Sequence, residues 1–127
     1  MVYLHEVLVQ PKQGTSSSLR KLAESTPWGI DYVNAEYVPD DNSGSRKVCI
    51  IDTRYDKNHE DLQDDPTIVT GKSFIRGERW DSDLNSHGTH VAGTTAAIGG
   101  IGLGVKGVIR NDQVKLHIAK AFGAYKI

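Results

Sequence analysis

Apolar and polar positions along this chain alternate with two different periods, and the periods define its elements. Val48-Cys49-Ile50-Ile51 is an unbroken apolar run between the polar loop Asp40-Asp41-Asn42-Ser43-Gly44 and the polar residues from Asp52 onward. Such a run predicts a strand buried on both faces, as in a parallel sheet, with Cys49 inside as an inert thiol. From Ser86 to Ile98 the spacing is helical: His87, His90, Val91, Thr94 and Ile98 share one side, with Ser86 as the N-cap. Gly88, Ala92, Ala96 and Ala97 leave so little bulk on that helix that it can approach its neighbours closely. Gly93 costs about 1 kcal/mol against alanine there, which predicts a packing reason for it. Val114 to Phe122 alternates as a strand ended by Gly123, and Val69 to Ile75 reads as another. Strand, helix and strand in succession are the repeating unit of an α/β sheet.

The remaining segments are less regular. Ile30, Val33, Asn34 and Tyr37 predict a short helix from Trp28, preceded by Pro27 and closed off by Pro39. Met1 to Val9 is apolar enough for a strand, whereas Pro11 and Gly14-Thr15-Ser16-Ser17-Ser18 read as a break or linker. The expected organisation is therefore an N-terminal segment over 1–25 and the main fold over 26–127. Asp56 to Asp65 reads as a charged loop and Gly77 to Asn85 as a surface loop. The glycines crowded into Gly99 to Gly107 predict a tight turn system leading out of the long helix.

Size and charge narrow the possibilities. A chain of 127 residues holds one modest core or part of one. Its 15 basic and 16 acidic residues are interspersed, which argues against a nucleic-acid or anionic-membrane surface. The single cysteine forms no internal disulfide and no thiolate zinc site. No basic-then-apolar leader is visible in the sequence, and no apolar stretch approaches membrane-spanning length.

Two residues stand where chemistry is done. Working residues of open α/β sheets lie at the carboxyl ends of strands, and Asp52 follows Ile51 directly. His87 opens the predicted helix. A carboxylate that accepts one imidazole N–H fixes the tautomer and frees the other nitrogen to take a proton, so Asp52 would orient and His87 would act as the base. Spacing alone favours a turn-capping aspartate and a surface histidine. His87 and His90 with Asp52 or His59 offer a zinc alternative, although the spacing is not His-Glu-x-x-His. Gly102-Leu103-Gly104-Val105-Lys106-Gly107 matches a dinucleotide fingerprint only formally, because a helix precedes it and a strand follows. Thr70-Gly71-Lys72-Ser73 resembles the end of a phosphate loop, but Pro66 stands where its first glycine belongs.

Three blocks in order then carry a resemblance: Val48-Cys49-Ile50-Ile51-Asp52-Thr53-Arg54, His59-Glu60-Asp61-Leu62, and His87-Gly88-Thr89-His90-Val91-Ala92-Gly93. Together they resemble the Asp and His regions of the subtilisin-like serine protease family, and the similarity runs from about Thr26 to Gly123. It implies a three-layer α/β fold with a mostly parallel sheet, incomplete in this chain. By the same resemblance Asp52 and His87 are the catalytic Asp and His, and His90 is structural. Asp61 matches a position that ligates a structural calcium in the family, although Gly99-Gly100-Ile101-Gly102 supplies no Asn or Asp as a companion ligand. No cofactor is implied for catalysis itself. Nothing in the chain matches the family's Gly-Thr-Ser-Met-Ala-like nucleophile block or its oxyanion-hole asparagine, so the resemblance implies a fragment inactive by itself.

The resemblance also implies a protein or peptide substrate for the complete parent, an extracellular location, and the missing C-terminal part of the domain as a partner. The alternative is a non-catalytic remnant or protein-binding module. Arg54 departs from the family glycine, and a long cation there is expected to compete with His87 for Asp52 or to reshape the turn.

Overall fold

The computed structural model describes residues 23–82 and 85–123. The strand and linker expected over residues 1–18 lie outside the described residues. Helix α1 (Trp28–Tyr32) is followed by a turn of 3-10 helix at Ala35–Tyr37 and another at Ser43–Ser45. Strand β1 (Lys47–Asp52), strand β2 (Val69–Ser73), helix α2 (His87–Ala96) and strand β3 (Lys115–Lys120) complete the regular structure. The three strands form one parallel sheet in the order β1-β3-β2. Its registers match Ile50 with Ile118 and Asp52 with Lys120 across one ladder, and Val69 with Leu116 across the other. The strand-helix-strand unit expected from the sequence is β2-α2-β3, and the chain is α/β.

One continuous core joins Ile50, Tyr55, Leu62, Val69, Val114, Leu116 and Ile118 to Ala92, Ala96 and Ala97 of the helical region. Helix α2 packs against β1. Its buried face is Gly88, Ala92 and Ala96, spaced four apart, so small residues set the distance between helix and sheet. The side that His87, His90, Val91, Thr94 and Ile98 share lies away from the core: His87, His90 and Thr94 are exposed, and Val91 and Ile98 are half-buried. Gly93 has open space where a Cβ would stand, so no packing reason for it exists among the described residues.

Strand β1 corrects a second expectation. Its positions alternate, with Ile50 and Asp52 buried while Cys49 is exposed and Ile51 remains 64% exposed. An apolar run cannot reveal which of its faces is covered. Here α2 covers one face of this edge strand and the other is open, so Cys49 is not buried. Helix α1 also stops earlier than its pattern suggests, because Asn34 turns into the left-handed region at φ 56°. Ile30 and Ala35 are buried as a result, whereas Val33 and Tyr37 point outward.

The glycine-rich segment after α2 is a chain of tight turns, with Gly100, Gly102 and Gly104 all at positive φ. Glu24 and Ser25 pack on it: Glu24 Oε1 accepts the Gly100 and Ile101 amides at 2.7 and 3.2 Å, and Ser25 pairs with Val105 as a parallel bridge.

The contrast between the core and the open face of β1 makes a direct prediction. Leu116→Ala, in the core, should cost about 2–5 kcal/mol, whereas Ile51→Ala should change stability by less than about 0.5 kcal/mol. Urea denaturation midpoints measure both, and equal losses would mean that both faces of the sheet are covered.

Candidate functional site

Asp52 is the last residue of β1 and is 8% exposed. Its Oδ1 accepts the Thr53 amide at 2.6 Å and lies 2.8 Å from His87 Nδ1. A carboxylate only accepts, so His87 Nδ1 donates, and the lone pair of the neutral imidazole is left on Nε2. The His87 side chain is 66% exposed, which leaves it open to a reactant. Residues 35 apart in sequence are thus brought together by docking the start of α2 on the end of β1.

The docking depends on backbone approach. A Cβ at Gly88 would overlap the Arg54 carbonyl oxygen, and the Gly88 amide donates to Thr53 Oγ1 at 3.1 Å. Ser86 occupies the N-cap position in the left-handed region, φ 65°, and its hydroxyl makes no capping bond, so the expected side-chain cap is absent. The first turn is instead fixed by what it touches across the site: Thr53 Oγ1 takes the Gly88 amide, and Thr89 Oγ1 takes the Asp56 amide at 3.0 Å.

Arg54 does not compete with His87 for Asp52. Its φ is not positive, so no glycine conformation is forced at this position. The side chain, 8% exposed, turns away from Asp52: Nη2 pairs with Glu78 and Nη1 donates to the Ser82 carbonyl at 3.1 Å. Glu78 also meets Lys120 Nζ at 2.9 Å, and that ammonium donates to the Thr53 carbonyl at 3.0 Å. Lys120 is completely buried. Sequence analysis missed both Lys120 and Glu78. A lysine within a strand whose neighbours are apolar was the available signal for the first, while Glu78 in a polar loop carried none.

Asp61, read as a charged-loop residue, is buried at 3% exposure. Its Oδ2 accepts the Val105 amide at 2.8 Å, and Oδ1 is buried without a hydrogen-bond partner. Gly104 lies so close that a Cβ would overlap the carboxylate. Burial pushes the Asp61 carboxyl up, opposed by the Val105 amide, and the nearby Glu24 charge pushes in the same direction as burial. The orphaned Asp61 Oδ1 is an oxygen that a hard cation, which collects such ligands, would take up. Around Asp52 and His87 the geometry is that of a pair: among the described residues, no three His, Cys, Asp or Glu side chains converge as a metal cluster.

With this geometry established, comparisons with known proteins decide the family. A sequence model of the subtilase family matches residues 44–126. The chain belongs to the subtilase family. It is 39% identical over 104 residues to Subtilisin DY of Bacillus licheniformis, covering 80% of this chain and 35% of that protein. It is 42% identical over 105 residues to an alkaline protease of Alkalihalobacillus alcalophilus, covering 81% of this chain and 26% of the relative. Among solved structures, a psychrophilic subtilisin-like protease of the Antarctic psychrotroph Pseudoalteromonas sp. AS-11 superposes with a TM-score of 0.69 at 43% identity, over 80% of this chain and 23% of that one. This subtilase chain therefore spans about a third or less of these relatives. No helix among its described residues is long and apolar enough to cross a membrane.

The shared carboxylate of Glu78 gives the site a pH signature. Its carboxyl is held below the ordinary 4.5 chiefly by the hydrogen bond from Lys120; partial burial works against this and the Arg54 hydrogen bond adds to it. An acid depressed in the folded state contributes stability that is fully present above its unfolded value and is lost as pH falls through its folded value. The urea midpoint should therefore decline as pH is lowered below about 4.5, and Glu78→Gln should remove part of that decline.

Proposed function

We propose that Asp52 and His87 are the orienting carboxylate and the general base of a subtilisin-like serine endopeptidase, of which this chain supplies the N-terminal part. The observation that carries the reading is the 2.8 Å contact between His87 Nδ1 and Asp52 Oδ1 at the junction of β1 and α2. Asp52 holds the imidazole in the Nδ1–H tautomer and stabilises the imidazolium that forms when Nε2 takes a proton. The nucleophile activated by Nε2 is a serine and the oxyanion is held by an asparagine, both contributed by sequence outside these 127 residues. Attack on a peptide carbonyl gives an acyl-enzyme, and Nε2 returns the proton to the leaving amine. The substrate is a protein or peptide, and the parent acts outside the cell, as the family resemblance implies. The open face of β1, with Cys49 and Ile51, is where the remainder of the domain would pack.

The test uses the chain joined to its serine-bearing continuation and a chromogenic peptide anilide. In subtilisin itself, removal of the triad His costs about 2 × 10⁶ in kcat and of the Asp about 3 × 10⁴. Losses of those orders are expected for His87→Ala and Asp52→Asn. Full activity in either variant would show that the pair is structural, and no activity in the unsubstituted protein would put the reading as a non-catalytic module in place of this one.

A structural calcium would be held by Asp61, through the buried Oδ1 that has no hydrogen-bond partner. It would supply positive charge beside two acidic groups, Asp61 and Glu24, and take no part in hydrolysis. Millimolar calcium should then raise Tm for the native sequence and leave Tm unmoved in Asp61→Asn. An equal response in both would place the ion elsewhere.

A further inference from the structure

The geometry points to Arg54 as a positioning residue for the Asp52–His87 pair, an inference that rests on the catalytic reading of that pair. Arg54 stands two residues beyond Asp52, and its main chain is the surface on which α2 is seated: the Gly88 position meets both its carbonyl oxygen and its amide nitrogen. Any shift of residue 54 therefore moves the first turn of α2, to which His87 belongs. The side chain fixes residue 54 from the other direction. Nη1 donates to the Ser82 carbonyl and Nη2 to Glu78, two groups on the stretch of chain that leads into α2.

A second cation completes the brace. Lys120, paired in register with Asp52, donates to the Thr53 carbonyl and to the same Glu78 carboxylate that holds Arg54. Residues 52 to 54 are thus tied to β3 and to residues 78 to 82 by one shared acid. A buried cation is tolerated only when it is paired, and removing one partner leaves the others uncompensated. Arg54 Nε is buried with no hydrogen-bond partner, so the side chain forgoes one bond while its terminal nitrogens hold the loop. A glycine at this position makes none of these side-chain contacts. The inference is that this chain fixes the Asp-bearing turn through a charged strut.

The readout is the His87 ring itself. In the 127-residue chain labelled with 15N-histidine, long-range proton–nitrogen correlation at a pH where the imidazole is neutral should show a single Nδ1–H tautomer and a downfield Nδ1 proton. Arg54→Gly should give a mixture of tautomers and lose the downfield proton, while Arg54→Lys, which keeps a cation for Glu78, should restore the single form. A wild-type tautomer in Arg54→Gly, with the far-UV spectrum unchanged, overturns the inference. Should that variant fail to fold, Arg54→Met keeps the aliphatic stem without the charge and is judged by the same criterion. In the parent enzyme, Arg54→Gly should lower kcat about 10–100-fold with KM little changed, as expected for a misplaced base. The tautomer measurement does not depend on hydrolysis, so an inactive parent would overturn the peptidase reading without touching the result for Arg54.

Discussion

The contact between the first turn of α2 and the main chain of residues 53 and 54 governs the arrangement of this protein, because it fixes both the helix–sheet distance and the meeting of Asp52 with His87. Gly88 makes the contact possible, since any side chain there would overlap the Arg54 carbonyl oxygen. Ala92 and Ala96 carry the same close approach along the rest of the helix. Small side chains contribute little transfer free energy of their own. Their value here is geometric: they bring α2 onto a core whose larger members, Leu116, Ile118, Val69 and Tyr55, come from the strands and from the turn after β1.

Burial of charge follows from the same constraint. Where α2 is seated on the end of β1, Asp52 and Arg54 are buried, and so is Lys120 on the neighbouring strand. Charges in such surroundings must be paired or hydrogen-bonded. Asp52 is satisfied by the Thr53 amide and by His87, while Arg54 and Lys120 share Glu78. Two cations on one carboxylate keep Arg54 directed away from Asp52, which leaves the Asp52 carboxylate to orient the histidine. A long side chain at the family's glycine position is thereby accommodated without disturbing the pair. Asp61 shows the opposite balance: Oδ2 accepts the Val105 amide, and Oδ1 is left without a partner.

Much of this was legible in the order of residues. The strand into Asp52, the helix from His87 and the strand from Lys115 were marked by local period, and the glycine turns after α2 by composition, because those signals reflect backbone geometry within a few residues. The pair was singled out by family resemblance, since spacing alone also allowed a turn-capping aspartate and a surface histidine. Local pattern failed where a neighbour distant in sequence decides the outcome. It could not show that β1 has one open face, that the small-residue side of α2 is the buried one, or that Asn34 ends α1 in the left-handed region.

By itself, then, the sequence determined the α/β class, the parallel strand-helix-strand unit and the subtilase motifs that contain Asp52 and His87, since periodicity and motif spacing are properties of the chain. Only the tertiary structure decided that His87 reaches Asp52 at 2.8 Å, that Arg54 joins Glu78 in place of Asp52, and that Cys49 is exposed while Lys120 and Asp61 are buried. The physical reason is that burial and charge pairing are set by which distant segments lie within a few ångströms of each other, and no local pattern encodes that distance.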